Sequence, residues 1–445
     1  MSFSLPYSRK RRYLKGIDWV VGALHQAGLK SIGIGAVSQA VLELEGTLDE
    51  RQLTSALQQI SRRLPLIHGR FDRDWFNLAP YWKVPRPART APIPLRVVDL
   101  PANSLDEADR LLAEHVNEAL EFDSQHLRFL LVRVGRDRSK LGLVFDHRLF
   151  DAFGAESFFR LVDETFQGRL EQIVPKIKQT EPAHLDHWKR RFLSGRMLNR
   201  MLIRLTEQDV CALAMPPTKP MRRIRFVHEV LSAEHTARIS EKAFEETGMP
   251  ILLPSAAARA VSAVRGAIPT PALSGSHYLL FTSANMRPPG QDWESVLFNH
   301  FSFLLFSAPY DGPRETSLVA KLLRDQLFQH MKDSIPAALE DAAALGRIFP
   351  RSLVARAINS MFKGRMCSFY FACLKECGFP GRSFLGLPAV NIVHTPLAFA
   401  PPGMNLCMTT FAGRFNLVLS YLEGAMDDAV AREIMLQFKA SLVEG

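Results

Sequence analysis

Apolar residues recur along this chain with two periods. A return at every third or fourth position predicts an amphipathic helix, and alternation or a short continuous run predicts a strand. On this basis residues 17–27 read as a short helix and 35–44 as a strand. Thr47-Leu48-Asp49-Glu50 has the capping-box pattern, with Leu53, Leu57 and Ile60 following at helical spacing until Arg62, Arg63 and Pro65 end the helix. The proline-rich stretch 80–101 is expected to cross the surface in extended form. Residues 105–120 predict a helix, with Leu111, Leu112, His115, Val116 and Ala119 on one side. Residues 128–134 and 140–145 predict two strands joined by the turn Gly135-Arg136-Asp137-Arg138, a hairpin that leads into Asp146 and His147. Phe158, Phe159, Leu161, Val162 and Phe166 then mark a helix running to about Gly168, with Asp151 near its start.

The second half repeats the alternation. Strands are predicted at 225–231, 278–285, 298–309, 388–394, 405–411 and 414–421, and helices at 233–247, 254–264, 318–335 and 426–443. Between the halves, residues 171–225 are weakly patterned and basic and include Pro216, Pro217 and Pro220, as suits a crossover. The expectation is a mixed α/β chain of two comparable parts, 1–190 and 191–445, with no short repeat. Residues 189–205, KRRFLSGRMLNRMLIRL, form a basic amphipathic helix with two readings. It docks on the protein's own core, the commoner fate of such helices, or lies on an anionic membrane.

Composition narrows the class. At 445 residues, 47% hydrophobic and 22% charged, the chain has the balance of a globular protein rather than a disordered or fibrous one. No apolar run is long enough to span a bilayer, and residues 1–15 are polar and basic without the apolar centre of a secretory signal, so a cytoplasmic location is expected. The five cysteines are odd in number. Cys367, Cys373 and Cys377 come nearest to a cluster but lack zinc-site spacing, so they read as buried thiols with no metal. The net charge of +10 favours anionic partners: phosphates, an acidic carrier protein or lipid head groups. The basic residues are spread out and accompany no nucleic-acid-binding motif, so nucleic acid is not expected.

His147 is the leading candidate for chemistry. An imidazole at the end of a buried strand, where a helix begins, is held rigidly at the mouth of a cleft and titrates near neutral pH, which suits a general base. His68 and Asp72 share the HxxxD spacing of His147 and Asp151. His68, however, follows a helix end and turn rather than a hairpin, and reads as structural. From the residues alone His147 also has a bland reading, a strand-end histidine with Asp151 merely capping the next helix.

Several segments, in order, resemble the chloramphenicol acetyltransferase-like superfamily, which includes condensation domains of nonribosomal peptide synthetases, wax ester synthases, polyketide-associated acyltransferases and plant BAHD enzymes. They are EGTLDERQLTSALQQISRRLPLIHGRF at 45–71, ALEFDSQHLRFLLVRV at 119–134, VFDHRLFDAFG at 144–154 beside the HHxxxDG motif, Asn285-Met286-Arg287-Pro288, Phe298-Asn299-His300, and 388–421 with Asn391 and FAGRFNLVLSY. The chain looks most like the free-standing condensation-like branch. The resemblance implies two subdomains forming a V with a tunnel between them, His147 as general base, Asp151 as the structural aspartate and Arg287 as its ion-pair partner. It implies acyl transfer from a CoA or carrier-protein phosphopantetheine thioester to a hydroxyl or amine, with no bound cofactor and an acyl carrier protein among the partners. Asn299, Ser302 and Thr409 are candidates for oxyanion or substrate contacts, and His394 for the tunnel wall. Two departures stand out: Asp146 replaces the first His, and Ala152 replaces the Gly after the aspartate. They favour the rival reading, a degenerate member that binds acyl carriers, lipids or a partner protein.

Overall fold

The computed structural model describes residues 11–86, 90–121, 123–182, 187–215, 223–268, 273–290, 292–376, 379 and 382–444. Cys377 and the prolines at 216, 217 and 220 lie outside them. The expected hairpin forms as Leu127–Val134 against Arg138–Asp146, antiparallel, with Gly135 supplying the positive φ of 60° that its turn requires. Val37–Glu45 pairs antiparallel with Arg138–Asp146, and Leu95–Leu100 lies parallel to Leu127–Val134 at one edge. The other edge comes from far along the chain: Leu387–Thr395 runs antiparallel to Val37–Glu45, followed outward by Ser383–Phe384. This six-stranded sheet therefore draws strands from both ends of the sequence.

Helices Glu50–Arg63 and Ala152–Phe166 bury their apolar stripes against one face of that sheet. Leu53, Leu57, Ile60, Phe158, Phe159 and Val162 join Leu42, Phe129 and Leu143 in one core. Each such side chain removed from water contributes roughly 1.5–3 kcal/mol. Helix Glu50–Arg63 is capped by Asp49, whose carboxylate accepts from the amides of Arg51 and Gln52, while Thr47 bonds the Arg136 carbonyl instead.

A second six-stranded sheet has the order Phe301–Pro309, His277–Asn285, Phe369–Glu376, Met404–Phe411, Arg414–Leu422, Ile224–Val230, with Phe369–Glu376 parallel to both neighbours. Helices Leu253–Ala267, Thr316–Lys332 and Asp428–Val443 cover one face through Val261, Leu323 and Phe438. The two halves meet through Val37 and Val144 on one side and Ile224, Leu397 and Leu422 on the other.

Two features depart from the pattern reading, and a third follows one of its two alternatives in part. The stretch after Pro80 does not simply cross the surface: Pro80–Lys83 pairs with Arg11–Tyr13 and Arg70–Arg73 in a small sheet, and Trp82 is fully buried. The helix expected over 318–335 stops at Lys332. Ser334 takes a left-handed φ of 53° and Pro336 opens a new helix, Ile335–Gly346. Helix Trp188–Glu207 docks on that new helix, with Leu198 buried beside Ile335 and Ala338, but leaves Phe192 and Leu193 exposed. Among the described residues no helix is long and apolar enough to cross a membrane. Among them, too, no three His, Cys, Asp or Glu side chains gather as a metal site would need.

Candidate functional site

His147 follows directly on strand Arg138–Asp146, and its amide donates to the Ala36 carbonyl at 2.8 Å. Its ring packs edge-on to Phe145 with centroids 5.2 Å apart. The residue is half-buried, walled by protein yet not sealed from solvent. Ser38 Oγ lies 3.0 Å from His147 Nε2 and accepts the Leu397 amide at 3.1 Å. A hydroxyl has one hydrogen and two lone pairs, so with one lone pair taken by that amide the contact fits either tautomer of the neutral imidazole. Burial holds the imidazole below its usual pKa, opposed by the charges of Asp151 and Asp146 and reinforced by His394. The ring is therefore neutral at neutral pH.

Asp151 caps helix Ala152–Phe166 by accepting the Gly154 amide at 3.0 Å. It also accepts from the His300 amide at 3.1 Å and from Arg287 Nη2 at 2.6 Å, the latter a buried ion pair across the two halves. Although burial pushes the other way, the Arg287 guanidinium and these bonds hold its carboxyl below the ordinary range. Arg287 also lies over the Phe153 ring at 4.2 Å. The glycine demand of this turn falls on Gly154. A Cβ there would stand 2.5 Å from Phe150 Cβ and 2.6 Å from the Val296 carbonyl oxygen, whereas Ala152 opens the helix half-buried.

Phe298 presents the other wall. Its left-handed φ of 72° is strained for a residue with a side chain, by roughly 1–2 kcal/mol. The strain is held by Arg12, 3.9 Å over its ring, by the edge of Trp82 at 5.3 Å, and by its amide on the Leu149 carbonyl. The turn delivers Asn299, whose Nδ2 donates to the His147 carbonyl at 2.8 Å and to Asp18 Oδ1 at 3.2 Å. Asn299 thus braces the backbone of His147.

The remaining candidates divide. Ser302 donates to the Pro336 carbonyl at 2.7 Å, so its hydrogen is committed to the helix side of its strand. Thr409 is buried with no hydrogen-bond partner for its hydroxyl among the described residues, on the same strand face as Asn405 by the two-residue period. Asn405 in turn donates to the Leu397 carbonyl at 2.9 Å. His394, near enough to depress the His147 pKa, is bonded not to backbone but to Glu156 at 2.8 Å, both side chains buried. His68 bonds Ser61 at 2.7 Å and Asp72 pairs with Lys83, so the rival HxxxD spacing belongs to packing and surface.

Asp146, standing in place of a histidine, is fully buried in a charged cluster. It accepts from Arg148 Nε at 2.7 Å, from the Arg148 amide at 2.8 Å, and from His126 Nδ1 at 3.1 Å. His126 Nε2 faces the Gly69 carbonyl at 2.7 Å, so both its nitrogens face oxygen atoms. The Arg148 guanidinium, the nearby His25 and the hydrogen bond with His126 keep the Asp146 carboxyl well below the ordinary range against the opposing effect of burial. The substitution thus leaves a satisfied ionic knot under the His147 turn. Ser38, Glu156 and His126 carried no spacing signal in the sequence, since each meets its partner from a distant segment, while Arg148 lies only two residues from Asp146.

A cavity of about 380 Å³ opens between the end of helix Gly16–Ile32, helix Arg351–Met361 and the 397–401 segment. Leu397 lines it together with Ile34, Phe399, Lys30 and Arg356, which brings the cavity wall to the residue whose amide bonds Ser38.

Comparison with protein-family profiles and with curated proteins finds no match for this chain. Solved structures do match over nearly its full length. Trichothecene 15-O-acetyltransferase from Fusarium sporotrichioides superposes with a TM-score of 0.67 at 13% identity, covering 99% of this chain and 96% of its own. The first condensation domain of the calcium-dependent antibiotic synthetase, in complex with a substrate analogue, gives 0.64 at 15% identity, covering 98% and 96%. The epimerization domain from the third module of tyrocidine synthetase B gives 0.59 at 12%, covering 98% and 95%. With its two mixed six-stranded sheets, the chain has the two-subdomain fold of the chloramphenicol acetyltransferase-like superfamily that condensation domains share.

Proposed function

We propose that the protein is an acyltransferase in which neutral His147 removes the proton from an acceptor hydroxyl or amine. The acceptor then attacks the carbonyl carbon of a CoA or carrier-protein thioester. The tetrahedral adduct collapses with cleavage of the C–S bond, and the imidazolium returns the proton to the leaving thiolate. The observation that carries this reading is the Ser38 to His147 Nε2 contact. It sets this ring nitrogen against a hydroxyl where the two halves meet, and the neutral ring has a tautomer in which that nitrogen accepts. An acceptor hydroxyl bound there would meet the same nitrogen.

Asp151 and Arg287 hold the turn in this reading, and Asn299 fixes the carbonyl side of His147. Of Asn299, Ser302 and Thr409, it is Thr409 whose hydroxyl is not committed to a partner among the described residues, which makes it the oxyanion candidate. The cavity beside Leu397 would take the thioester arm, with Lys30 and Arg356 to meet its phosphates. Assay of thiol release from a series of acyl-thioesters against hydroxyl and amine acceptors tests the proposal. His147→Ala is expected to lower the rate by ~10²–10⁴. Equal rates in the two proteins would remove the base assignment. Undiminished thioester binding without turnover in the wild type would favour a carrier-binding protein without catalysis.

A further inference from the structure

The small sheet built by Arg11–Tyr13, Pro80–Lys83 and Arg70–Arg73 carries a turn at residues 74–79 that takes no part in the site. At its tip Trp75 is 93% exposed and Phe76 is 102% exposed. The turn itself is firmly built. Asp74 accepts from the Phe76 amide at 3.0 Å, from Tyr13 at 2.8 Å and from Arg11 at 2.7 Å. Its own amide donates to the Ala79 carbonyl at 3.0 Å, and Asn77 accepts the Ala79 amide at 2.8 Å. Two large rings are thus held out in water by a fixed frame, forgoing burial that either could otherwise have had. An exposed apolar feature of this kind marks a contact surface.

The neighbourhood extends the same character. Arg73, at the base of the turn, donates to the carbonyls of Ile348 and Phe349 at 2.7 and 2.9 Å, and those two side chains are 38% and 51% exposed. Arg73 also bonds the carbonyl of Arg347, whose guanidinium lies close enough to Arg191 to feel its charge. Immediately after Arg191, Phe192 and Leu193 are 61% and 56% exposed on a helix that also carries Lys189, Arg196, Arg200 and Arg204.

We propose that the Trp75-Phe76 tip, flanked by this corner, is an interfacial anchor that seats the protein on an anionic lipid surface. The rings project from a turn instead of lining a groove, which suits insertion among lipid head groups and acyl chains rather than recognition of one partner's shape. The exposed cations of helix Trp188–Glu207, in a chain of net charge +10, complement acidic head groups. At its base the sheet is fixed to the site, since Trp82 and Arg12 both pack on Phe298. Seating the tip would therefore hold the His147 site at a set orientation to the lipid.

The test is sedimentation of the full chain with vesicles of phosphatidylcholine alone and of phosphatidylcholine mixed with phosphatidylglycerol. The expected result is binding to the anionic vesicles that weakens with added salt. It should fall by at least ~10-fold in the Trp75→Ser, Phe76→Ser double variant, because two interfacial aromatic contacts are lost. Both side chains lie outside the packed core, so the thermal midpoint of that variant should match the wild type. His147→Ala should bind as the wild type does, which separates this proposal from the acyl-transfer reading. Absence of binding to either vesicle, or equal binding by wild type and double variant, overturns it. So does loss of self-association in the double variant with vesicle binding unchanged, which would make the tip a contact between copies of the chain.

Discussion

His147 owes its readiness as a base to opposing influences that can be separated. Burial keeps the ring neutral, while the Asp146 and Asp151 carboxylates pull the other way without prevailing. Because the base form is the active one and its pKa is lowered, the acid limb of log kcat/KM against pH is expected to have its midpoint below the ~6.5 of free imidazole. A midpoint at or above that value would mean that His147 does not titrate as the base. Asp151 lends itself to a second test. Arg287→Ala strands a buried carboxylate and is expected to lower stability by about 3–5 kcal/mol in urea denaturation. Exchanging the two residues, Asp151→Arg with Arg287→Asp, should recover only part of that loss. Asp151 also accepts the amides of Gly154 and His300, and an arginine there can replace neither bond. Full recovery would show that the pair alone matters.

Helix Ala152–Phe166 shows how closely the site depends on its supporting segments. Its first turn passes so near Val296 that Gly154 leaves no room for a side chain. Gly154→Ala must push apart the helix start and the segment leading to Phe298, and is expected to cost about 1–3 kcal/mol with a lower thermal midpoint. An unchanged midpoint would mean that the wall relaxes freely. The same region marks what could be read from sequence. The hairpin into His147, the capped helix at 50–63 and the helices at 233–247 and 428–443 were legible, since local periodicity dictates them. Strand Leu387–Thr395 was legible as a strand, but its place beside Val37–Glu45 was not, because pairing over such a separation leaves no local trace. With it went the links it carries or adjoins, His394 to Glu156 and Leu397 to Ser38. Helix Arg351–Met361 and strand Phe369–Glu376 were not anticipated; the helix buries none of its residues deeply, so packing imposes little pattern on it.

For the molecule as a whole, buried neutral histidines set the response to acid. Desolvation, assisted by Arg128 and Arg96, pushes His115 down to about 3, and desolvation with the nearby His126 pushes His68 down to about 4. In the unfolded chain both return to ~6.5. Between that value and the folded ones the unfolded state binds protons that the native state refuses, so stability rises with pH across this window. The contribution is complete above about pH 6.5 and is lost as pH falls toward 4 and then 3, at most roughly 3 kcal/mol for His68 and roughly 5 kcal/mol for His115. Asp146 and Asp151 have lowered pKa values, so their share is lost only below the ordinary carboxylate range, and the two effects are separable by pH. Asp18 and Glu340 carry the opposite sign: burial raises both, and they detract from stability once pH exceeds the usual carboxylate values. Urea denaturation at pH 7, 5.5 and 4.5 should therefore show a falling midpoint before the carboxylates of lowered pKa begin to protonate. His115→Gln, which keeps a polar group near Gln39 but cannot charge, should flatten that fall. Parallel curves for variant and wild type would remove His115 from the account and leave the acid response to other groups.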